Sequence, residues 1–172
     1  MLVLSKPLGV GAVVAARKRG AVDDGLLARA VATMTELNAA AAAAALEAGV
    51  HAMTDVTGFG LLGHLHHLCR ESGVAAELDA DAVPAPNGVR ELLSGGEEEA
   101  PGRSGGARRN AEWAAGFAIF DDRVPVWRRR LVADATTSGG LLVALPAAAA
   151  EGMPGAVVGR LVDGRAGTIR VR

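Results

Sequence analysis

Asp55 is the residue of this chain best placed to do chemistry. It closes the run Val50-His51-Ala52-Met53-Thr54-Asp55-Val56, and Thr57-Gly58-Phe59-Gly60-Leu61-Leu62-Gly63-His64 leads from it into a helical pattern. A carboxylate at a strand end, next to backbone stripped of side chains, lets a phosphate or a metal ion approach closely. Mg²⁺ takes one or two carboxylates and fills its other positions with phosphate and water. The same spacing suits an N-cap for the following helix, and on spacing alone the two readings weigh equally. Gly58, Gly60 and Gly63 also spell G-x-G-x-x-G, with Asp79 at about the ~20-residue interval of a dinucleotide site. That reading fails on the strand, because His51 to Thr57 is too polar for the buried apolar strand that precedes such a turn.

Other chemistry-bearing groups are weaker. His64 and His67 lie one turn apart beside His66, but without a third ligand they read as a solvated helix face and not as a zinc site. Cys69 falls on the apolar face of the same helix and reads as a small buried hydrophobe. Arg128-Arg129-Arg130 reads as a solvated basic run. Gly105-Gly106-Ala107-Arg108-Arg109-Asn110 offers backbone amides and guanidinium groups to an anion, or is an ordinary loop. Thr136-Thr137-Ser138-Gly139-Gly140, after Asp134, allows close backbone approach to a phosphate, or is a strand-entry turn.

These groups must be positioned by a chain of 172 residues, half of them hydrophobic, with 3% aromatic residues and no tyrosine. The length predicts a single domain, or one half of something larger, with a core of Ala, Val and Leu. A net charge of −1 argues against nucleic-acid and anionic-membrane partners. One cysteine excludes an internal disulfide framework and fits a reducing cytoplasm. No apolar run approaches a spanning helix, and Met1 to Pro7 does not read as a signal peptide.

Periodicity predicts helices over 11–19, from Asp23 or Asp24 onward, over 39–48 and from about Leu61 to Glu71, with strands over 50–56, 74–78 and 141–145. Val89 to Leu93 forms a short helix, and Ala147 to Glu151 barely one turn. Residues 94–110, rich in Gly, Glu and Arg, read as a mobile surface loop of the kind that often covers a site. Val157 to Val162 and Thr168 to Val171, joined by Asp163-Gly164-Arg165-Ala166-Gly167, suggest a terminal hairpin.

Taken in order, five motifs resemble the C-terminal half of the selenophosphate synthetase (selenide, water dikinase) family. They are Ser5-Lys6-Pro7-Leu8-Gly9-Val10-Gly11, Met34-Thr35-Glu36-Leu37-Asn38, Thr54 to His64, Gly105-Gly106 with Arg109-Asn110, and Thr137-Ser138-Gly139-Gly140-Leu141-Leu142. The Asp55 to Gly60 core is shared more loosely with the wider aminoimidazole ribonucleotide synthetase superfamily. The resemblance implies an α+β fold, with a mixed β-sheet and helices packed on its faces. It further implies a homodimer built by N-terminal domains, with ATP lying mainly against those domains. The C-terminal domain would cover the site and supply one Mg²⁺ ligand, Asp55. Gly105, Gly106, Arg109, Asn110, Thr137, Ser138 and Gly139 would line the nucleotide side. The reaction implied converts selenide, ATP and water to selenophosphate, AMP and phosphate.

The departures are as informative. The family's catalytic cysteine or selenocysteine and its lysine lie in an N-terminal half that this chain lacks; Cys69, Lys6 and Lys18 match neither. Asp134-Ala135-Thr136 stands where the family has aspartate-proline-glutamine. The expectation is a C-terminal domain that needs an N-terminal half, on the same or a separate chain, and is inactive alone. The competing expectations are a stand-alone binding module and a domain of a purine-pathway synthetase, a thiamine-phosphate kinase or a hydrogenase-maturation enzyme.

Overall fold

The computed structural model describes every residue except 97–99. Among the described residues, seven strands form one mixed sheet and eight helices cover it, in the order β1 (Leu2–Leu4), α1 (Val10–Arg17), α2 (Asp24–Thr35), α3 (Ala39–Glu47), β2 (Ala52–Asp55), α4 (Gly60–Glu71), β3 (Ala75–Leu78), α5 (Val89–Leu93), α6 (Gly105–Ala114), β4 (Ala118–Phe120), α7 (Val126–Val132), β5 (Leu141–Ala144), α8 (Ala147–Ala150), β6 (Ala156–Val162) and β7 (Ile169–Val171). This is the α+β, mixed-sheet architecture expected. No helix among the described residues is long and apolar enough to cross a membrane.

The sheet runs β2-β5-β1-β6-β3-β7-β4. Pairing is antiparallel from β2 through β3 and parallel where β7 joins β3 and β4. β1 and β5 lie inside it and are buried on both faces. Leu2, Leu4, Leu142 and Ala144 face the larger core with Val13, Leu61 and Leu65, whereas Val3, Leu141 and Val143 face a smaller one with Ala45 and Met153. A strand covered on both sides has no polar face to alternate with, which accounts for the unbroken run Leu141-Leu142-Val143-Ala144-Leu145.

Three expectations are corrected. β6 and β7 do not form a hairpin: β3 lies between them, antiparallel to β6 and parallel to β7. Ala75, Ala76 and Leu78 of β3 are buried, so inserting this apolar strand covers both its edges, where a hairpin of its neighbours would leave it outside. The loop over 94–110 is shorter than read, because α6 starts at Gly105 behind an N-cap, Ser104, whose Oγ accepts the Ala107 N–H at 3.0 Å; residues 97–99 of that segment lie outside the described residues. Nor is Arg128-Arg129-Arg130 a solvated face. Arg128 donates to the Val83 and Asp81 carbonyls at 2.5 and 3.0 Å, Arg129 to those of Val124 and Asp121 at 2.8 and 2.9 Å, and Arg130 to that of Leu93 at 2.7 Å. Donors on a planar fork reach several carbonyls at once, and α7 is stapled to its neighbours.

Candidate functional site

The ends of three strands define the site. Asp55, the last residue of β2, pairs with Leu141, the first of β5, and β1 ends beside them where the Ser5 N–H donates to the Leu141 carbonyl at 2.9 Å. The chain leaves this sheet end through the turns that carry the motifs.

Asp55 is exposed, and among the described residues its carboxylate makes no hydrogen bond or ion pair. The N-cap of α4 is Phe59, without a side-chain bond, so Asp55 does not cap that helix and its carboxylate is open to a ligand. Among the described residues no group of three or more His, Cys, Asp or Glu side chains could hold a metal unaided. A lone hard oxygen donor fits Mg²⁺ only in the mode in which phosphate, water and a second protein surface complete the shell. It does not fit a closed zinc site.

Two of the glycines after Asp55, Gly60 and Gly63, serve packing, whereas Gly58 borders open space. Gly60 has φ 68, and a Cβ there would lie 3.0 Å from the Ala133 carbonyl; a residue with a side chain would be strained in that left-handed conformation. Gly63 lets the Trp113 ring approach to 2.7 Å from where a Cβ would stand. Because β2 is an edge strand antiparallel to β5, the G-x-G-x-x-G spacing has no dinucleotide-binding βαβ unit around it.

The histidines are half-buried, contrary to a solvated face. His64 Nε2 accepts the Thr57 N–H at 3.0 Å, which requires an unprotonated nitrogen and fixes the ring next to Asp55. Burial holds the His64 pKa below its usual 6.5, with the Asp55 charge opposing and His67 adding to the shift. His66 stacks on Phe117 at 3.9 Å, and Trp113 bridges this stack to Phe59. The low aromatic content concealed this cluster, which gathers Phe59, Trp113 and Phe117, three of the chain's five aromatic residues, around the histidines.

The other predicted residues converge on the same end. Gly105 and Thr137 line an open cleft of about 400 Å³ together with Gly11, Lys18 and Ser104. Gly106 packs against Ala135, and Thr137 and Ser138 are exposed above the cleft wall. Thr136 N–H donates to the Thr57 carbonyl at 3.3 Å, which joins this turn to the segment after Asp55. Arg109 is exposed on the first turns of α6. Asn110 is buried, and its Nδ2 donates to the Gly58 carbonyl at 2.9 Å and the Ala133 carbonyl at 3.1 Å. Its amide ties α6 to the Asp55 turn instead of reaching the cleft.

Asp134, Lys6 and Asn38 were not identified from sequence as parts of the site. Asp134 is fully buried and its Oδ2 accepts the Ala12 N–H at 3.1 Å, at the start of α1. Burial pushes its carboxyl up to about 7, and the N–H groups of Ala12 and Gly11 draw it back only in part. Lys6 is buried, and its Nζ donates to the carbonyls of Thr33, Glu36 and Ser138. The Asn38 amide donates to the Gly139 carbonyl at 2.9 Å. The available signal was polar residues inside apolar motifs, but partners 101 to 132 positions away cannot be read from local pattern.

Comparison with known proteins agrees with this geometry. The family model for the AIR synthase related protein, C-terminal domain, matches residues 1–172. The selenide, water dikinase of Burkholderia pseudomallei (strain K96243) is 40% identical over 178 residues, covering 96% of this chain and 48% of the relative. The selenide, water dikinase of Escherichia coli O157:H7 is 39% identical over 179 residues, covering 99% and 49%. The chain thus spans about half the length of the curated relatives it matches. Among solved structures, the hydrogenase maturation protein HypE of E. coli superposes with a TM-score of 0.62 at 18% identity, covering 99% of this chain and 45% of that one. Thiamine monophosphate kinase from Aquifex aeolicus gives 0.61 at 14% identity, covering 99% and 48%; at these identities the likeness concerns the fold. By its sequence over the full length and by its sheet, the chain belongs to the AIR synthase related protein, C-terminal domain family.

Proposed function

We propose that this chain is the C-terminal domain of a selenide, water dikinase. In this reading it closes over ATP held mainly by an N-terminal half, supplies Asp55 as one Mg²⁺ ligand, and has no activity alone. The observation that carries it is the exposed, unpartnered Asp55 carboxylate at the sheet end, where the Thr137-Ser138 turn and the start of α6 also gather. The names of the relatives at about 40% identity support the choice of reaction, and the neighbour solved with ATP supports a nucleotide as ligand of this fold.

Asp55 would hold the ion, and a bound Mg²⁺ would offset phosphate charge. This chain's own residues do the positioning. His64 is kept neutral by burial and by its bond to the Thr57 N–H, so it adds no cation to compete with Mg²⁺ beside Asp55. Asn110 holds the Gly58 carbonyl, so the turn after Asp55 cannot swing independently of α6. The intact enzyme would be a cytoplasmic homodimer whose catalytic cysteine or selenocysteine comes from the other half.

Phosphorus NMR of ATP, Mg²⁺ and selenide tests the proposal, with the chain alone and mixed with the N-terminal half of a close relative. Selenophosphate and AMP should form only in the mixture. Asp55→Ala should remove the product while changing stability by less than about 0.5 kcal/mol, since the side chain is exposed and unpartnered. A complex that forms and yields no product would rule the reading out.

A further inference from the structure

The Thr137–Gly139 turn is held from behind in an unusual way. Lys6 is 4% exposed, yet its Nζ meets only carbonyl oxygens, those of Glu36 at 2.5 Å and of Thr33 and Ser138 at 3.3 Å. Among the described residues no carboxylate pairs with it. The carbonyls at the C-terminal end of α2 favour a cation, but they are dipoles, and the ammonium's full charge stays uncompensated inside the domain. Beside it, Asn38 Nδ2 pins the Gly139 carbonyl.

Two successive carbonyls, of Ser138 and Gly139, therefore turn toward the α2–α3 junction. In a planar trans peptide the N–H points opposite to the carbonyl, so the Gly139 N–H faces away from Lys6. Ser138 has φ 49, the one positive value at a non-glycine residue among the described residues. The N–H groups of Thr137, Ser138 and Gly139 find no protein acceptor among the described residues. Consecutive free N–H groups around a left-handed residue form a concavity that binds anions. Thr137 and Ser138 are exposed while Gly139 is buried, so a ligand reaches the concavity from the Thr137–Ser138 side.

We propose that the backbone of Thr137–Gly139 is a cradle for a phosphoryl oxyanion, with Lys6 and Asn38 as its positioning residues. The identification of the anion as phosphoryl rests on the dikinase reading; the cradle itself rests on the geometry. Lys6 acts twice, holding the Ser138 carbonyl so that the left-handed turn persists, and placing an unneutralised positive charge behind the amides. The oxyanion belongs either to ATP or to a free phosphate.

Inorganic phosphate is titrated into the ¹⁵N-labelled chain at constant ionic strength, and amide shifts are followed by NMR. The Thr137, Ser138 and Gly139 amides should move downfield and saturate together. Lys6→Met, and equally Asn38→Ala should the first variant not fold, should weaken binding by about tenfold or more. Ser138→Gly should keep the affinity within about twofold, because glycine adopts the same φ and the backbone is the ligand. A parallel titration with Mg·ATP assigns the source: tighter saturation of the same amides names the nucleotide, and its absence names free phosphate. Silent or non-saturating amides, wild-type affinity in both Lys6→Met and Asn38→Ala, or loss of binding in Ser138→Gly would each overturn the cradle. Product formation in the reconstituted mixture with silent amides would do so while leaving the dikinase reading intact. Saturating amides in a mixture that makes no product would keep the cradle and reject that reading.

Discussion

Replacing Asp134 by asparagine should make stability respond to pH in a defined way. The Asp134 carboxyl is fully buried, Oδ2 accepts the Ala12 N–H, and Oδ1 has no partner. Burial raises its pKa from 3.8 to about 7. A carboxyl whose folded pKa is raised contributes stability that is fully present below the unfolded value and is lost as pH rises through the folded one. Over this span of about three pH units the loss is on the order of 4 kcal/mol, at about 1.4 kcal/mol per unit. The asparagine side chain keeps an oxygen for the Ala12 N–H and cannot ionise, but it buries an amide group without acceptors, which costs about 1–3 kcal/mol at every pH. The two effects nearly cancel around pH 5, and by pH 8 the variant should be the more stable by about 2 kcal/mol. Urea unfolding of Asp134→Asn and the parent chain at pH 5, 6, 7 and 8, read from midpoints at constant slope, should give a difference that grows up to pH 7 and then levels off. A difference independent of pH would mean that Asp134 is ionised in the fold throughout, and the reasoning from burial would be wrong.

Three further outcomes follow from individual contacts. A Cβ added at Gly139 would land on the Val56 carbonyl oxygen, so Gly139→Ala should destabilise by roughly 3 kcal/mol in urea unfolding, through displacement of backbone. Asn110→Ala leaves the Gly58 and Ala133 carbonyls without their donor and should cost about 2 kcal/mol; amide exchange should quicken at the start of α4 before it does in β1. Imidazole NMR should find His64 carrying its proton on Nδ1 and titrating below 6.5. Its neutral form then stabilises the fold above pH 6.5, and that contribution is lost as pH falls through the lowered pKa. A His64 pKa above 6.5 would contradict the bond to the Thr57 N–H.

Much of the fold could be read locally. The helix over 39–48 follows from alanine propensity, and the structure has α3 at Ala39–Glu47. The apolar stripe of Leu61, Leu62, Leu65, Leu68 and Cys69 set the buried face of α4, and all five are buried. Where the reading failed, the deciding energy lay elsewhere in the chain. Gly105-Gly106 is a poor helix opening by propensity, yet α6 starts there because Ser104 caps it and Asn110 anchors it to two distant carbonyls. The terminal strands looked like a hairpin because only their own alternation and turn were visible, while the strand that separates them lies about 80 residues earlier.

The sequence by itself determined α1 to α5 and the strands β2, β3 and β5, that a lone aspartate ends one strand before a glycine-rich turn, and which family the motif order resembles. These follow from period, capping and turn chemistry, which act within a few residues. Only the tertiary structure decided that residues 5–12, 55–60, 104–110 and 134–140 meet at one end of the sheet. It also freed Asp55 from capping α4, buried Asp134 and Lys6 behind the turns, and fixed the proton on His64. Each of those outcomes depends on a partner brought close by folding, as Ala12 is to Asp134 across 122 positions, and on the water that folding removes.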